Sequence, residues 1–283
     1  CWTGYLLFQK LPARAQSAVL ATIMLSASTI QHQNPAVQLF SAPFRAMACP
    51  CEIVITAESA NEAHVHAERA IGEIQRIEQK YSRYQADSIL SRINAAASTD
   101  WVECDEETNA LLDYAQVLYE NSDGLFDITS GVLRRVWDFK QAIIPSQQAL
   151  DTVLPLIGWD KVERKNSAVR FAEKGMEIDF GGYGKEYAAD CAALILGAEG
   201  IVQGYVNLGG DIRIIGPKPD GQPWQMGIQN PRDSQNIYAS VPIEYGALAT
   251  SGDYERYFER DGKRYCHVLN PKSGQPVSHW QSV

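Results

Sequence analysis

Residues 177–190, EIDFGGYGKEYAAD, set acidic side chains, three glycines and a lysine between an apolar approach and an alanine-rich run. Gly181, Gly182 and Gly184 let the backbone come close to a ligand and adopt unusual dihedrals. A helix starting after them would present unpaired N–H groups and the positive end of its dipole. That combination suits a phosphate or pyrophosphate. Neither the Walker spacing nor G-x-G-x-x-G is present, so a tight strand-to-helix turn explains the glycines as well. Asp179 ends the apolar approach, where a carboxylate can accept ring or ribose hydrogen bonds or help hold a cation; a cap or surface acid is the plainer reading.

Three further stretches carry chemistry. VNLGGDIRIIG (206–216) puts Gly209, Gly210 and Asp211 between two strand-like runs, the place for a bulge or ligand-facing kink, or for a plain turn with a solvent acid. DGLFDITSG (123–131) sets Phe126 beside Asp127, a pair able to hold a planar ring, although Phe126 reads as readily as core. ATSGDYERY (249–257) and RYCHVLNPKSG (264–274) bring Thr250, Ser251, Asp253, His267 and Asn270 close in sequence. A neutral imidazole is suited to take a proton from a hydroxyl near pH 7, which makes His267 a candidate general base, against the plainer reading of a core or surface histidine. His64 and His66, two apart on one helix, cannot share a face; with His32 and His279 they read as structural or solvated.

These stretches need elements to position them. CEIVITA (51–57) is β-branched and reads as a strand, and Ser59 with Glu62 has capping-box spacing, so a helix starts near residue 60. Ala63, Ala67, Ala70, Ile71, Ile74 and Ile77 give it one apolar face. A second helix is predicted over 106–121 and a third over 185–196. GYVNL (204–208), IRIIG (212–216), WQMGI (224–228) and YASVPIE (238–244) read as strands. Helices in the first half and meander-like strands in the second predict the α+β class, with helices packed on mixed or antiparallel sheets.

The 283 residues are 45% apolar, enough for a substantial core, and 25 basic against 34 acidic side chains give a net charge of −9. That balance argues against a broad electrostatic grip on nucleic acid or anionic lipid, so a phosphate must be held locally. The six cysteines are scattered except Cys49 and Cys51, whose spacing suits neither a mutual disulfide nor a zinc knuckle; they read mostly as free thiols. SAVLATIMLSAS (17–28) is too short to span a bilayer and reads equally as the core of a secretory signal or a buried helix. QNPAVQLFSAPF (33–44) reads as a linker.

FRAMACPCEI, KYSRYQADSILSRIN, SDGLFDITSGVL, MEIDFGGYGKEYAAD, VNLGGDIRIIG, GALATSGDYERY and RYCHVLNPKSGQPV together resemble, in the same order, the motif series of the bacterial FAD:protein FMN transferases, the ApbE family. The resemblance covers about residues 42–283. It implies an extension or signal-like segment over 1–41 and a transferase domain over 42–283. It further implies a magnesium-dependent enzyme that cleaves the pyrophosphate of FAD, attaches FMN to a threonine or serine hydroxyl of a target protein and releases AMP. Its partners would be FAD and flavoprotein subunits of membrane redox complexes, with no nucleic acid, at the periplasmic face of the bacterial inner membrane or, alternatively, in the cytoplasm. Position by position, Met47, Tyr84, Leu125, Phe126, Asp127, Asp179, Lys185 and Leu269 match FAD-contacting positions. Gly182 matches a main-chain oxygen ligand of the metal, and His267 matches the base. Asn270 stands where many members carry aspartate. The family continues beyond GQPV into a strand and a helix that complete the metal site, so the resemblance implies a domain incomplete at its C-terminal end. A flavin-binding protein without transfer activity and an FAD pyrophosphatase are the alternatives.

Overall fold

The computed structural model describes residues 37–283. The signal-like stretch 17–28, Cys1 and His32 lie outside them. In chain order the first elements are strands β1 (Gln38–Ala46) and β2 (Cys49–Ala57), helices α1 (Ala60–Tyr81) and α2 (Ile89–Ala96), strand β3 (Val102–Glu103) and helix α3 (Glu106–Asn121). A 3-10 helix (Ile128–Arg135), helix α4 (Gln147–Val153), strands β4 (Val162–Lys165) and β5 (Ala168–Phe171), and helix α5 (Gly184–Ala198) follow. The remaining strands are β6 (Gly204–Leu208), β7 (Asp211–Gly216), β8 (Trp224–Asn230), β9 (Asp233–Ile243), β10 (Gly246–Leu248), β11 (Tyr257–Arg260) and β12 (Lys263–Cys266).

The described chain divides into two compact units, each assembled from three segments. The first takes the residues up to Gln75, with Glu186–Gly227 and Ser240–Ala249. Its sheet has the order β1-β2-β6-β7-β10, with every neighbouring pair antiparallel. β2 is nearly all buried, as the continuous run EIVITA requires of an inner strand, and Ile53 and Ile55 lie among the largest fully buried side chains. Val54, Ile214, Trp224 and Met226 form an apolar cluster in this unit. The α1 face read from its periodicity is the buried one: Ala63, Ala67, Ala70, Ile71 and Ile74 are all inside. Ser59 Oγ accepts from the Glu62 N–H (3.3 Å), while Glu62 reaches back one residue further than a standard box, to the Glu58 N–H (2.8 Å).

One boundary changes. The stretch expected to be a linker is mostly β1, and the division between 41 and 42 falls inside that strand. Pro43 made it look like a connection. β1 is an edge strand, and an edge tolerates a residue with no N–H to give.

The second unit comprises Arg76–Lys185, Ile228–Ala239 and Thr250–Val283. Its regular structure is short and strongly capped. Ser88, Asp105, Asp127 and Ser146 each stand before a helix in extended backbone and accept a hydrogen bond from a first-turn N–H. β3, β5 and β4 make a small antiparallel sheet and β11 pairs with β12. Val132, Leu133, Trp137, Leu150 and Val153 form this unit's apolar cluster. The α+β class stands, and α3 and α5 sit within two residues of their expected bounds. The five described cysteines are free thiols.

Candidate functional site

The stretch leading to the glycines is held from both sides. Asn94 of α2 donates to the Ile178 carbonyl (3.0 Å) and accepts from the Ile178 N–H (2.8 Å), and the Asp179 N–H donates to the Ile128 carbonyl (2.9 Å). The Asp179 carboxylate is thereby fixed in place. Its Oδ1 accepts from the Gly181 N–H (3.0 Å) and its Oδ2 from Arg83 Nη1.

At Gly182, and less tightly at Gly181, glycine is there for space rather than for an unusual dihedral. None of Gly181, Gly182 and Gly184 has positive φ. A Cβ on Gly182 would stand 2.8 Å from Phe126 Cε2, and one on Gly181 would stand 3.3 Å from Asp179 Oδ1. Beneath them Tyr183 is buried and donates its hydroxyl to the Leu111 carbonyl (3.0 Å), with its ring 5.5 Å from Phe180 and Tyr114 and 6.0 Å from Phe126. This aromatic floor sets the height of the loop.

Residues 123–131 present two kinds of side chain. Leu125 is exposed and Phe126 half-buried, facing the Gly182 backbone. Asp127 is buried and turned inward: Oδ1 accepts from the Thr129 N–H (2.8 Å) and hydroxyl (2.6 Å), and Oδ2 from the Trp159 N–H (3.1 Å). It caps the 3-10 helix and ties the loop to residue 159. Tyr84 is 80% exposed.

His267 follows β12. Its N–H donates to the Arg256 carbonyl (2.9 Å), and Nδ1 stands 3.3 Å from the same oxygen. With Nδ1–H directed there, Nε2 carries the lone pair. The residue is exposed by area, yet protein atoms crowd the ring. This partial desolvation, then the charge of Arg256, and after the opposing pull of the carbonyl the charge of Lys185, hold its pKa below the ordinary value. The loop after it is anchored. Leu269 bridges to Pro276 and packs on the Leu133–Leu150 cluster, Trp137 Nε1 donates to the Gly274 carbonyl (2.8 Å), and Lys272 Nζ donates to the Asp123 carbonyl (2.6 Å). Asn270 Oδ1 accepts from the Lys272 (2.8 Å) and Ser273 (3.3 Å) N–H groups. Asparagine serves that turn as well as aspartate does. Asp253 is held by Arg232 (2.7 Å) and Arg264 (3.4 Å).

Of the residues singled out, Tyr84, Leu125, Phe126, Asp127, Asp179, Gly182, Lys185, His267 and Leu269 all belong to the second unit. Met47 belongs to the first, where it and Ala48 form the β1–β2 turn at positive φ (51° and 61°), as a two-residue turn of type I′ requires. Asp211, for which a solvent acid is one of the two readings, is buried.

The sequence profile of the ApbE family matches residues 47–283. The chain belongs to the ApbE family. It is 33% identical over 211 residues to the FAD:protein FMN transferase of Escherichia coli K12, covering 71% of this chain and 60% of that one. It thus spans about three-fifths of that relative's length. A crystal structure of the ApbE protein from Thermotoga maritima superposes with a TM-score of 0.80 at 36% identity, over 87% of this chain and 80% of that one. The apo flavinyl transferase ApbE of Pseudomonas stutzeri gives 0.74 at 28% identity, over 86% and 77%.

Two residues of this ApbE-family chain escaped the sequence reading. Arg83 and Asn94 stand in KYSRYQADSILSRIN without a motif to mark them, and each holds a segment more than eighty residues away. Magnesium takes about six oxygen ligands. Among the described residues no three His, Cys, Asp or Glu side chains come together as a cation site, and the Gly182 carbonyl is one donor. This donor set does not fit the ion by itself.

Proposed function

We propose that the chain is an FAD:protein FMN transferase, moving FMN from FAD to a threonine or serine hydroxyl of a target flavoprotein. The observation that carries this reading is His267: a base whose Nδ1 faces a carbonyl, whose Nε2 is left for a proton, and whose ring feels the charge of Lys185 at the end of the glycine stretch. The names borne by the curated relatives support it.

In this reading the acceptor oxygen attacks the phosphorus of the FMN half. The new P–O bond forms as the bond to the AMP oxygen breaks, the hydroxyl proton passes to His267 Nε2, and AMP leaves. Asp179 and Lys185 bind FAD, and Tyr84, Leu125 and Phe126 line the place of its rings; Met47 matches an FAD-contacting position through the family resemblance. Asp127 acts by capping the loop, and Leu269 by seating the loop of the base. Magnesium enters through the family resemblance, with the Gly182 carbonyl as a ligand; no step here is routed through it. Flavoprotein subunits of membrane redox complexes as targets, and the periplasmic face of the inner membrane as the place, rest on the same resemblance. Among the described residues no helix is long and apolar enough to cross a membrane.

The test is incubation of the full-length protein with FAD, magnesium and a target flavoprotein domain, followed by mass spectrometry of the domain and chromatography of the nucleotides. An FMN-sized mass addition with AMP is expected, and His267→Ala should abolish both. Free FMN and AMP without an adduct would make the chain a pyrophosphatase, and intact FAD beside an unmodified domain would leave a binding protein; either overturns the proposal.

A further inference from the structure

Arg83 lies between the two groups expected to meet FAD. One guanidinium nitrogen, Nη1, donates to Asp179 Oδ2, and the other, Nη2, donates to the Tyr84 hydroxyl (3.0 Å). The guanidinium carbon stands 5.1 Å from the Tyr84 ring centroid. Both charged side chains are about three-quarters covered, at 23% and 24% exposure, while Tyr84 presents most of its surface to solvent. The loop bearing Arg83 is itself braced: the Tyr84 N–H donates to Ser82 Oγ (3.2 Å), and Ser88 Oγ donates to the Ser82 carbonyl (2.5 Å).

An exposed tyrosine ordinarily samples several rotamers, and a ligand that stacks on it must first order it. A tether through the hydroxyl removes part of that cost while leaving the ring face away from the guanidinium open. Asp179, for its part, has Oδ1 fixed by Gly181 and Oδ2 by Arg83, and each oxygen keeps a second lone pair for another donor. The planar guanidinium holds two acceptors in fixed relation; a lysine ammonium is a compact point charge without that fork.

We propose that Arg83 is a positioning residue for FAD, setting the Asp179 carboxylate and the Tyr84 ring in relation to each other before the nucleotide arrives. This rests on the reading of Asp179 and Tyr84 as FAD contacts. A surface ion pair contributes little by itself. The effect comes from one cation joining two groups.

The test is FAD affinity of the full-length protein, followed by flavin fluorescence without acceptor, for wild type, Arg83→Met, Arg83→Lys, Tyr84→Phe and the Met/Phe double variant. Tyr84→Phe alters an exposed side chain and keeps the ring, so it remains informative if Arg83→Met folds poorly. Loss of hydrogen bonds to a charged group predicts at least about tenfold weaker binding for Arg83→Met. Arg83→Lys should recover only part of the loss. Tyr84→Phe should weaken binding about threefold alone and not at all when Arg83 is already Met, a non-additivity that a purely structural arginine would not produce. Wild-type protein that binds no FAD would overturn both this inference and the reading beneath it. Wild-type binding with an unchanged Arg83→Met, full rescue by lysine, or additive Arg83 and Tyr84 effects would overturn the inference alone.

Discussion

His267 and the Arg256 carbonyl show how little is needed to turn a common side chain into a specific one. A single oxygen faces both the amide and Nδ1, and this leaves Nε2 for the proposed proton transfer. Partial desolvation and then Arg256 lower the pKa, so the neutral ring persists to more acid pH than a free histidine's would. Activity that depends on the neutral ring should therefore survive below pH 6.5 and fall only as the pH passes through the lowered value. Arg256→Gln removes one cause and leaves the first, so the acid limb of kcat/KM should move partway back toward 6.5. An NMR titration of the His267 ring should move with it, and a ring that titrates identically in both proteins would refute the assignment. His267 and Asp179 stood out in the sequence as candidates because their side-chain types are conspicuous in glycine- and turn-rich loops. Arg83 did not, because its meaning lies in Asp179, 96 residues away. The glycines were legible as a feature but not in their cause, since Phe126 opposite Gly182 is a tertiary fact.

Elements that announce themselves by period and cap were read well. α3 begins and ends at the bounds expected for it, and α5 follows the glycines as expected. β3, β4, β5, β11 and β12 were missed because each has four residues or fewer and several are polar and half-exposed, so alternation has no length in which to appear. The α3 cap makes a measurable claim. Asp105 accepts from the Thr108 N–H (2.9 Å) and from Lys80 Nζ (2.5 Å). Burial alone would raise its pKa, but the hydrogen bonds from Lys80 and Thr108 outweigh that and bring it to about 2. A carboxylate with a folded-state pKa below its unfolded value stabilises above the unfolded pKa and loses that contribution as pH falls through the folded one. Asp105→Ala should cost about 1 kcal/mol at neutral pH. Hydrogen exchange at the Thr108 amide should show the loss, and the difference from wild type should shrink as the pH falls from about 4 through about 2. A difference undiminished at pH 2 would mean the carboxylate is not the cap.

At the scale of the whole molecule the sequence reading went least far. It treated 42–283 as one stretch, whereas three segments of the described chain interleave to make each unit. That division depends on which distant strands pair, and strand pairing leaves no local trace in composition. Each unit has its own apolar cluster, and in the second the cluster reaches the loop after His267: Leu269 packs on it and Gly274 lies against it. Gly274 has φ +68°, and a Cβ there would stand 2.9 Å from Leu150 Cδ2 and 3.3 Å from Leu133 Cδ2. Leu150→Ala empties a fully buried site and should cost about 2–5 kcal/mol. Gly274→Ala overfills the neighbouring space, at about 1–3 kcal/mol, and adds left-handed backbone strain of about 1–2 kcal/mol. The two errors have opposite sign in volume and share one boundary, so the double variant should be less destabilised than the sum by about 1 kcal/mol, with the backbone strain left over. Exchange of the Trp137 and Gly274 amides, which donate to the Leu133 and Asn270 carbonyls, reports the cluster and the loop in one measurement. If the fold of the second unit sets the position of His267, both amides lose protection in each single variant and regain part of it together in the double. Strict additivity, or a Gly274 amide indifferent to Leu150, would separate the loop from the core beneath it.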